Sequence, residues 1–184
     1  TVARQALGEF ALIAVTAAAV ILLPVPTGVA IGVGLSLVHG VWISTRTQVV
    51  ELAPVPGTTI WWPVDRPETG DSRPGLLVVS FAAPLLFSNA DVFRRGMAAE
   101  IAKRPVDTLV LEALGIAEVD YTAAQALRAV IEDCRTNGID FAIARLESAR
   151  ARRSLERFGV LELLGQDRVF LSVAQAIEAR PTRL

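Results

Sequence analysis

Residues 106–131 read VDTLVLEALGIAEVDYTAAQALRAVI, and this stretch decides the fold. Its first part has an unbroken apolar centre, Leu109-Val110-Leu111, which is typical of a strand buried on both faces in a parallel sheet flanked by helices. Its second part places Leu127 and Val130 on one side of a helix that we expect to run from about residue 123 to residue 137. A buried strand followed by an amphipathic helix is the repeating unit of an α/β domain.

The same alternation continues on both sides of this unit. Upstream, residues 75–81 form an apolar, β-rich run, and Ser88 and Asn89 are capping residues for a helix that extends to about Arg104. Downstream, we expect a strand over 139–146, a basic amphipathic helix over 148–158, a short strand over 169–171 and a final helix opened by Ser172. For residues 75–184 we therefore predict an α/β fold with a mixed β-sheet flanked by helices.

The segment that precedes this domain, residues 46–74, is rich in residues that interrupt regular structure. One short strand-like patch, residues 58–62, lies within it. We predict a linker that leads into an edge strand. The breakers are Pro54, Pro56, Gly57, Pro63, Pro67, Gly70 and Pro74.

The first 45 residues have the composition of a membrane segment. Between Phe10 and Thr45 no side chain carries a formal charge, a run that as one helix would reach about 54 Å, whereas a hydrocarbon core of about 30 Å needs about 20 residues. Prolines at positions 24 and 26 interrupt the run near its middle. We therefore predict that residues 1–45 form a transmembrane helical hairpin with arms at 7–23 and 28–43.

The alternative for this region is a cleaved signal peptide, whose apolar part would be much shorter and would end at a small-residue cleavage site. Trp42 stands where an interfacial anchor is expected, and Arg4 and Arg46 would lie together on the cytoplasmic side of a hairpin. His39 has two interpretations, a proton-handling group within a span or a neutral interfacial side chain. The chain begins at Thr1 rather than Met, which we interpret as a sign that it is a piece of a longer protein.

Composition also restricts the function. From Arg46 onward there are 17 basic and 18 acidic residues, so no basic field favours nucleic acid. Cys134 is the single cysteine and His39 the single histidine, which argues against Ser-His or Cys-His catalysis and a cysteine-rich metal site. No glycine-rich phosphate loop is present. We therefore expect no enzyme activity, no cofactor and no metal.

Three acids, Glu112, Glu118 and Asp120, surround the turn between the central strand and its helix. A pair of carboxylates at such a place could exchange protons or hold a cation. The alternative is that they are solvated loop acids that favour a helix N-terminus.

Three short stretches resemble one known family. The pattern of a buried strand, then Asp120-x-Thr122, then an alanine-rich helix looks like the STAS domain of sulphate transporters and anti-sigma-factor antagonists. Residues 84–90, PLLFSNA, resemble a segment of STAS domains fused to SulP-type anion transporters. Residues 28–36, GVAIGVGLS, resemble the last membrane helix of those transporters.

The resemblance implies a regulatory loop that comprises Glu118 and Asp120, with Thr122 as a candidate phosphosite at the start of the helix. Thr122 and Gln125 also have the spacing of a capping box, so Thr122 has the alternative role of a helix cap. Departures from the family pattern occur at Ala123, where glycine is common, and at Ser80 and Ala82, where transporter members often carry an arginine and an acid.

Two functions follow from the resemblance. In the first, the chain is the C-terminal part of a secondary anion transporter for sulphate, bicarbonate or a similar ion. Its hairpin then lies in the inner or plasma membrane, in contact with lipid and with an upstream transmembrane bundle of the same protein, and its cytoplasmic STAS domain supports homodimer contacts and regulation. No substrate-binding residue is expected within the 184 residues. In the second, it is a membrane-anchored STAS regulator that binds a kinase or an anti-sigma-like partner.

Overall fold

The computed structural model describes residues 14, 15, 17, 18, 24–44, 47–70 and 73–179. The chain divides into two compact units, Thr1–Thr45 and Arg46–Leu184. The described helices and strands are, in chain order, α1 (Val25–Ser44), β1 (Val49–Pro54), β2 (Trp61–Pro63), β3 (Gly75–Phe81), α2 (Ala90–Ile101), β4 (Val106–Glu112), α3 (Tyr121–Thr136), β5 (Asp140–Ala144), α4 (Ala149–Arg157), α5 (Val160–Leu164), a 3₁₀ turn (Gln166–Arg168), β6 (Val169–Phe170) and α6 (Val173–Glu178).

The first unit contains α1, which begins three residues before the predicted second arm. The backbone N–H groups of Thr27 and Gly28 donate to the carbonyl oxygen of Pro24 at 2.9 and 3.0 Å. Pro26 therefore lies in the first helical turn, where its missing N–H leaves no hydrogen bond unmade. The predicted first arm falls largely outside the described residues, so the hairpin stays a prediction. None of the helices in the described part of the chain combines the length and apolar character needed to cross a membrane.

The second unit is built on one six-stranded sheet with the order β2-β1-β3-β4-β5-β6. The pairs β2/β1 and β1/β3 are antiparallel, whereas β3/β4, β4/β5 and β5/β6 are parallel. Helices lie between the parallel strands in the chain, because parallel pairing needs a crossover connection. The predicted mixed sheet with flanking helices is confirmed.

Residues 46–74 contribute two strands rather than the predicted linker with one edge strand. The edge strand β2 overlaps only the end of the strand-like patch, and β1, which lies between β2 and β3, was not predicted. Its Glu51 pairs with Arg104 at 2.6 Å, and Val49 packs so closely on α2 that a Cβ at Gly96 would lie 2.7 Å from its Cγ2. Pairing with β3 therefore stabilises β1, although prolines 54 and 56 stand at and just after its end.

The sheet has two faces, both largely apolar. One face packs on α2, α3, α4 and α5 and forms the main core, which includes Leu77, Val79, Leu109, Leu111 and Ile143. The other face carries a smaller cluster of Leu76, Val78, Val110 and Ala142, on which α6 and Trp61 pack. The alternation of side chains along each strand assigns neighbouring residues to opposite faces.

Candidate functional site

The loop that joins β4 to α3 lies against the segment that precedes α2. The N–H of Leu85 donates to the carbonyl oxygen of Glu118 at 2.8 Å, and the N–H of Asp120 donates to the carbonyl oxygen of Leu85 at 3.2 Å. Leu85 and Val119 form an isolated parallel bridge, and both side chains are buried. Two of the three stretches that carry the sequence resemblance, residues 84–90 and the stretch around Asp120, are therefore held together.

Asp120 connects the two stretches through its side chain. Its Oδ1 accepts a hydrogen bond from the N–H of Ala123 at 2.8 Å, which makes Asp120 the N-cap of α3. Its Oδ2 accepts a second bond from the N–H of Phe87 at 2.6 Å. A carboxylate at a helix N-terminus is also favoured by the partial positive charge of the first turn.

Thr122 does not have the predicted capping role. It is the second residue of α3, its side chain is exposed, and the cap is Asp120. The spacing of Thr122 and Gln125 matches a capping box, but the helix begins two residues earlier than that spacing requires. The hydroxyl group is thus open to solvent at the first turn of a helix.

Glu118 lies on the outside of the loop. Its Oε2 is 3.3 Å from Nη1 of Arg150 on α4, and both side chains are about half exposed or more, so the pair is screened by water. Ser148 is the N-cap of α4: its Oγ accepts a hydrogen bond from the N–H of Ala151 and donates to the carbonyl oxygen of Ala117 at 2.6 Å. The start of α4 is therefore attached to the same loop.

Glu112 lies apart from the other two acids, in contrast to the predicted cluster. Ser80 Oγ donates to Glu112 Oε2 at 2.9 Å, and Nη1 of Arg145 is 3.4 Å from Oε1. Glu112 is buried, whereas Asp120 is a helix cap and Glu118 an exposed partner of Arg150. The three acids thus have three separate roles. In the described residues no three His, Cys, Asp or Glu side chains come together as metal ligands would.

Asn89 has a structural role in the 84–90 segment. Its side chain is buried, its Oδ1 accepts from the N–H of Leu86 at 2.9 Å, and its Nδ2 donates to the carbonyl oxygen of Pro84 at 2.9 Å. Asn89 occupies the N-cap position of α2 but makes no side-chain bond to the helix, so it closes its own loop instead of the predicted cap.

A cavity of about 700 Å³ lies over the second face of the sheet, beside α6, and the sequence did not predict it. Trp61 and Trp62 line it together with Ser80, Glu112 and Arg145. The signal was present in the sequence, because Ser80 and Glu112 are polar residues that follow the apolar centres of their strands.

A family model described as the STAS domain matches residues 70–176. The chain belongs to the STAS domain family. The matched residues contain both the 84–90 segment and the stretch around Asp120 and Thr122. The family resemblance of these two stretches is therefore confirmed.

The similarity to curated proteins extends beyond the STAS domain. The chain is 34% identical over 179 residues to a probable sulfate transporter of Mycobacterium tuberculosis, which covers 96% of the chain and 32% of the relative. It is 30% identical over 176 residues to the mouse solute carrier family 26 member 10, which covers 91% of the chain and 26% of the relative. The chain thus spans about a third or less of the length of these relatives.

Solved structures show the same fold. The murine solute carrier 26 family member A9 anion transporter in the inward-facing state aligns with a TM-score of 0.84 at 23% identity and covers 91% of the chain and 28% of that structure. The STAS domain of a SulP transporter from Vibrio cholerae aligns with a TM-score of 0.50 at 24% identity, over 59% of the chain. The first of these alignments includes residues outside the STAS domain.

Proposed function

We propose that the chain is the part of a SulP-type secondary anion transporter that carries the STAS domain, and that the whole protein moves sulphate, bicarbonate or a similar anion. One observation carries the proposal: the similarity to a sulfate transporter covers 96% of the chain and therefore includes the apolar residues before Arg46. A STAS domain of any other kind would match only over the second unit.

In this arrangement residues 1–45 form the hairpin within lipid, in contact with an upstream bundle of the same protein. The anion binds elsewhere in that bundle, near the middle of the membrane, where broken helices present their N-termini. The STAS domain lies in the cytoplasm and supports homodimer contacts and regulation. The protein acts as a carrier and not as an enzyme.

The loop of Glu118, Asp120 and Thr122 is the regulatory element of this proposal. Asp120 fixes the loop to the segment before α2, while Thr122 and Glu118 are exposed to a partner or a modifying enzyme. A change at this surface would be transmitted through the bridge of Leu85 and Val119 to the start of α2.

Sulphate uptake by cells that express the complete reading frame tests the proposal. We expect saturable uptake of labelled sulphate or bicarbonate that is lost when the upstream coding region is removed. Uptake equal to that of cells without the gene would contradict it. The regulator hypothesis predicts instead a reading frame that begins close to Thr1 and capture of a kinase or anti-sigma-like partner.

Phosphorylation of Thr122 has opposing electrostatic contributions. The helix N-terminus favours a phosphate, but Asp120 already occupies the cap and Glu118 adds a second negative charge nearby. We expect weak or no phosphorylation. Mass spectrometry of protein isolated from cells is the measurement, and stoichiometric phospho-Thr122 would contradict the expectation.

A further inference from the structure

The second unit receives the chain at one particular edge of its sheet. β1 begins at Val49, which pairs with Phe81, the last residue of β3. Glu112 and Ala144, the last residues of β4 and β5, pair with each other at the same level. The start of β1 therefore lies beside the carboxyl ends of the parallel strands. We call this end of the sheet, with the loops that follow β3, β4, β5 and β6, the entry edge.

The exposed large apolar side chains of residues 75–179 all lie at the entry edge. Each follows the carboxyl end of a parallel strand: Phe87 after β3, Leu114 and Tyr121 after β4, and Leu171 directly after β6. Phe87 and Leu171 are 74% and 83% exposed. Within residues 75–179, the loops at the opposite edge, which precede β4, β5 and β6, have no such side chain. Single exposed apolar side chains are common on proteins, but a shared edge indicates a contact surface.

The other exposed apolar side chains of the second unit have a different distribution. They are spread along the β1–β2 hairpin rather than collected at one of its ends, and they are Val50, Ile60, Trp62 and Val64. The hairpin therefore defines no second edge of this kind.

The charged side chains in the loops of the entry edge are paired. Glu118 lies 3.3 Å from Arg150, and Glu147 lies 3.4 Å from Arg145. Asp120 accepts hydrogen bonds from two backbone N–H groups. The loops thus offer no strong excess of either sign to a highly charged partner, and their exposed apolar side chains remain the feature available for contact.

The connection to the first unit favours a lipid surface as the partner. Only residues 45–48 lie between α1 and β1, and four extended residues span at most about 14 Å. Under the proposed function, on which this inference rests, residues 1–45 lie in lipid, so this short connection keeps the entry edge near the membrane surface. Tyrosine, present here as Tyr121, is enriched at membrane–water interfaces.

The arrangement of the apolar side chains also favours lipid. They stand on separate loops, and β3 and β6 are three strand spacings apart, which is about 14 Å. A protein partner needs a contiguous, complementary surface. A fluid layer of lipid headgroups accommodates separated side chains, each of which gains from leaving water.

We propose that the entry edge of the STAS domain rests on the lipid headgroup layer, with Phe87, Tyr121 and Leu171 inserted among the headgroups. The paired acids and arginines stay at the level of the headgroups and water. The contact orients the domain relative to the membrane. A regulator that binds the loop of Asp120 and Thr122, at the same edge, competes with lipid.

Spin labels at the two ends of β6 test the contact on the 184-residue chain in phosphatidylcholine nanodiscs. Leu171→Cys places a label at the entry edge, and Gln166→Cys places one at an exposed position before β6, at the opposite edge. Both variants carry Cys134→Ala, so that each has one attachment site. Electron paramagnetic resonance measures label collisions with oxygen, which enters lipid, and with a water-soluble nickel chelate. We expect the oxygen-to-nickel ratio to be at least about threefold higher at position 171 than at 166.

A further variant identifies the side chains that hold the contact. Phe87→Ser should lower the ratio at position 171 by at least about twofold, because it removes the largest inserted side chain. The matched control is Ile60→Ser, an exposed apolar position next to Trp61, which pairs with Pro54 at the opposite end of β1. Ile60→Ser should leave the ratio unchanged. Leu114→Ser replaces Phe87→Ser in the comparison if circular dichroism shows that Phe87→Ser does not fold.

The outcomes separate this inference from the proposed function. Equal ratios at positions 171 and 166 in nanodiscs that contain the chain would overturn the inference and leave the proposed function in place. A chain that does not co-purify with nanodiscs would contradict the membrane segment of the proposed function, and the inference with it.

Two further outcomes would replace lipid contact through apolar side chains by another contact. A high ratio at position 171 that requires added phosphatidylglycerol would assign the contact to the arginines. A ratio that falls to the value of position 166 in the complete protein would show that the upstream bundle, and not lipid, covers the entry edge.

Discussion

Asp120 accepts backbone hydrogen bonds from two separate parts of the chain, the N–H of Ala123 in α3 and the N–H of Phe87 before α2. Thr122, two residues later, has an exposed side chain at the second position of α3. The structural role that sequence spacing indicated for Thr122 therefore belongs to Asp120. A substitution at each position separates the two roles.

We predict that Asp120→Ala lowers the free energy of unfolding by about 2 kcal/mol, because it removes a helix cap and leaves a second N–H without its charged acceptor. Thr122→Ala should change it by less than about 0.5 kcal/mol, as is usual for exposed positions. Urea unfolding of both variants is the measurement. A larger loss for Thr122→Ala than for Asp120→Ala would show that the cap is wrongly assigned.

Cys134 is a buried thiol on the inner side of α3. Burial, with a smaller contribution from the nearby Asp133 carboxylate, raises the pKa of Cys134 from 9.0 to about 11. The thiolate is therefore disfavoured in the folded state, and the thiol should be unreactive.

We predict that the free energy of unfolding falls as pH rises from about 9 to about 11 through Cys134, because the unfolded thiol loses its proton at a lower pH than the folded one. Cys134→Ala should abolish this part of the pH dependence. Denaturant titrations at several pH values measure it, and alkylation by iodoacetamide should be slow until the chain unfolds. Rapid alkylation of folded protein would contradict the assignment.

At the scale of elements, β1 is the strand through which the breaker-rich segment 46–74 joins the sheet of the domain. It places Val49, Leu52 and Ala53 in buried positions, and its Glu51 is the partner of Arg104. It also covers one edge of β3, whose backbone would otherwise be unpaired on that side. The domain boundary therefore lies before Val49, at the division between the two compact units.

We predict that residues 46–184 unfold in one cooperative transition, whereas residues 56–184, which lack β1, do not. The shorter chain loses buried side chains worth about 1.5 to 3 kcal/mol for each large apolar residue, and it leaves Arg104 without Glu51. Thermal denaturation followed by circular dichroism compares the two. Equal transition temperatures would show that β1 is dispensable.

At the scale of the whole molecule, the chain corresponds to about a third of the sulfate transporter that it resembles. Its first unit has one cation, Arg4, near its start, so an anion buried away from that end would depend on helix dipoles. Sites of this kind combine the N-termini of broken helices from two repeats.

We predict that residues 1–184 alone do not move an anion, because they supply at most one of the opposed helix N-termini that such a site needs. Liposomes that contain this chain should take up labelled sulphate or bicarbonate no faster than protein-free liposomes. Liposomes with the complete protein serve as the positive control. Uptake by the 184-residue chain above the protein-free background would refute the prediction.

The sequence by itself determined the fold class and the family, because both depend on local patterns. The apolar centre of β4, the alternation of strands with amphipathic helices and the stretch from Asp120 to Thr122 are contiguous in the chain and can be recognised without its fold. The same is true of the run without charges between Phe10 and Thr45.

The tertiary structure decided which side chains meet. The Asp120 carboxylate also accepts the N–H of Phe87, 33 residues earlier in the chain. β1 forms because β3 offers an unpaired edge, and Glu112 joins Ser80 and Arg145 because three parallel strands end side by side. These contacts join residues far apart in the chain, and local propensity contains no information about partners that only folding brings within hydrogen-bond distance.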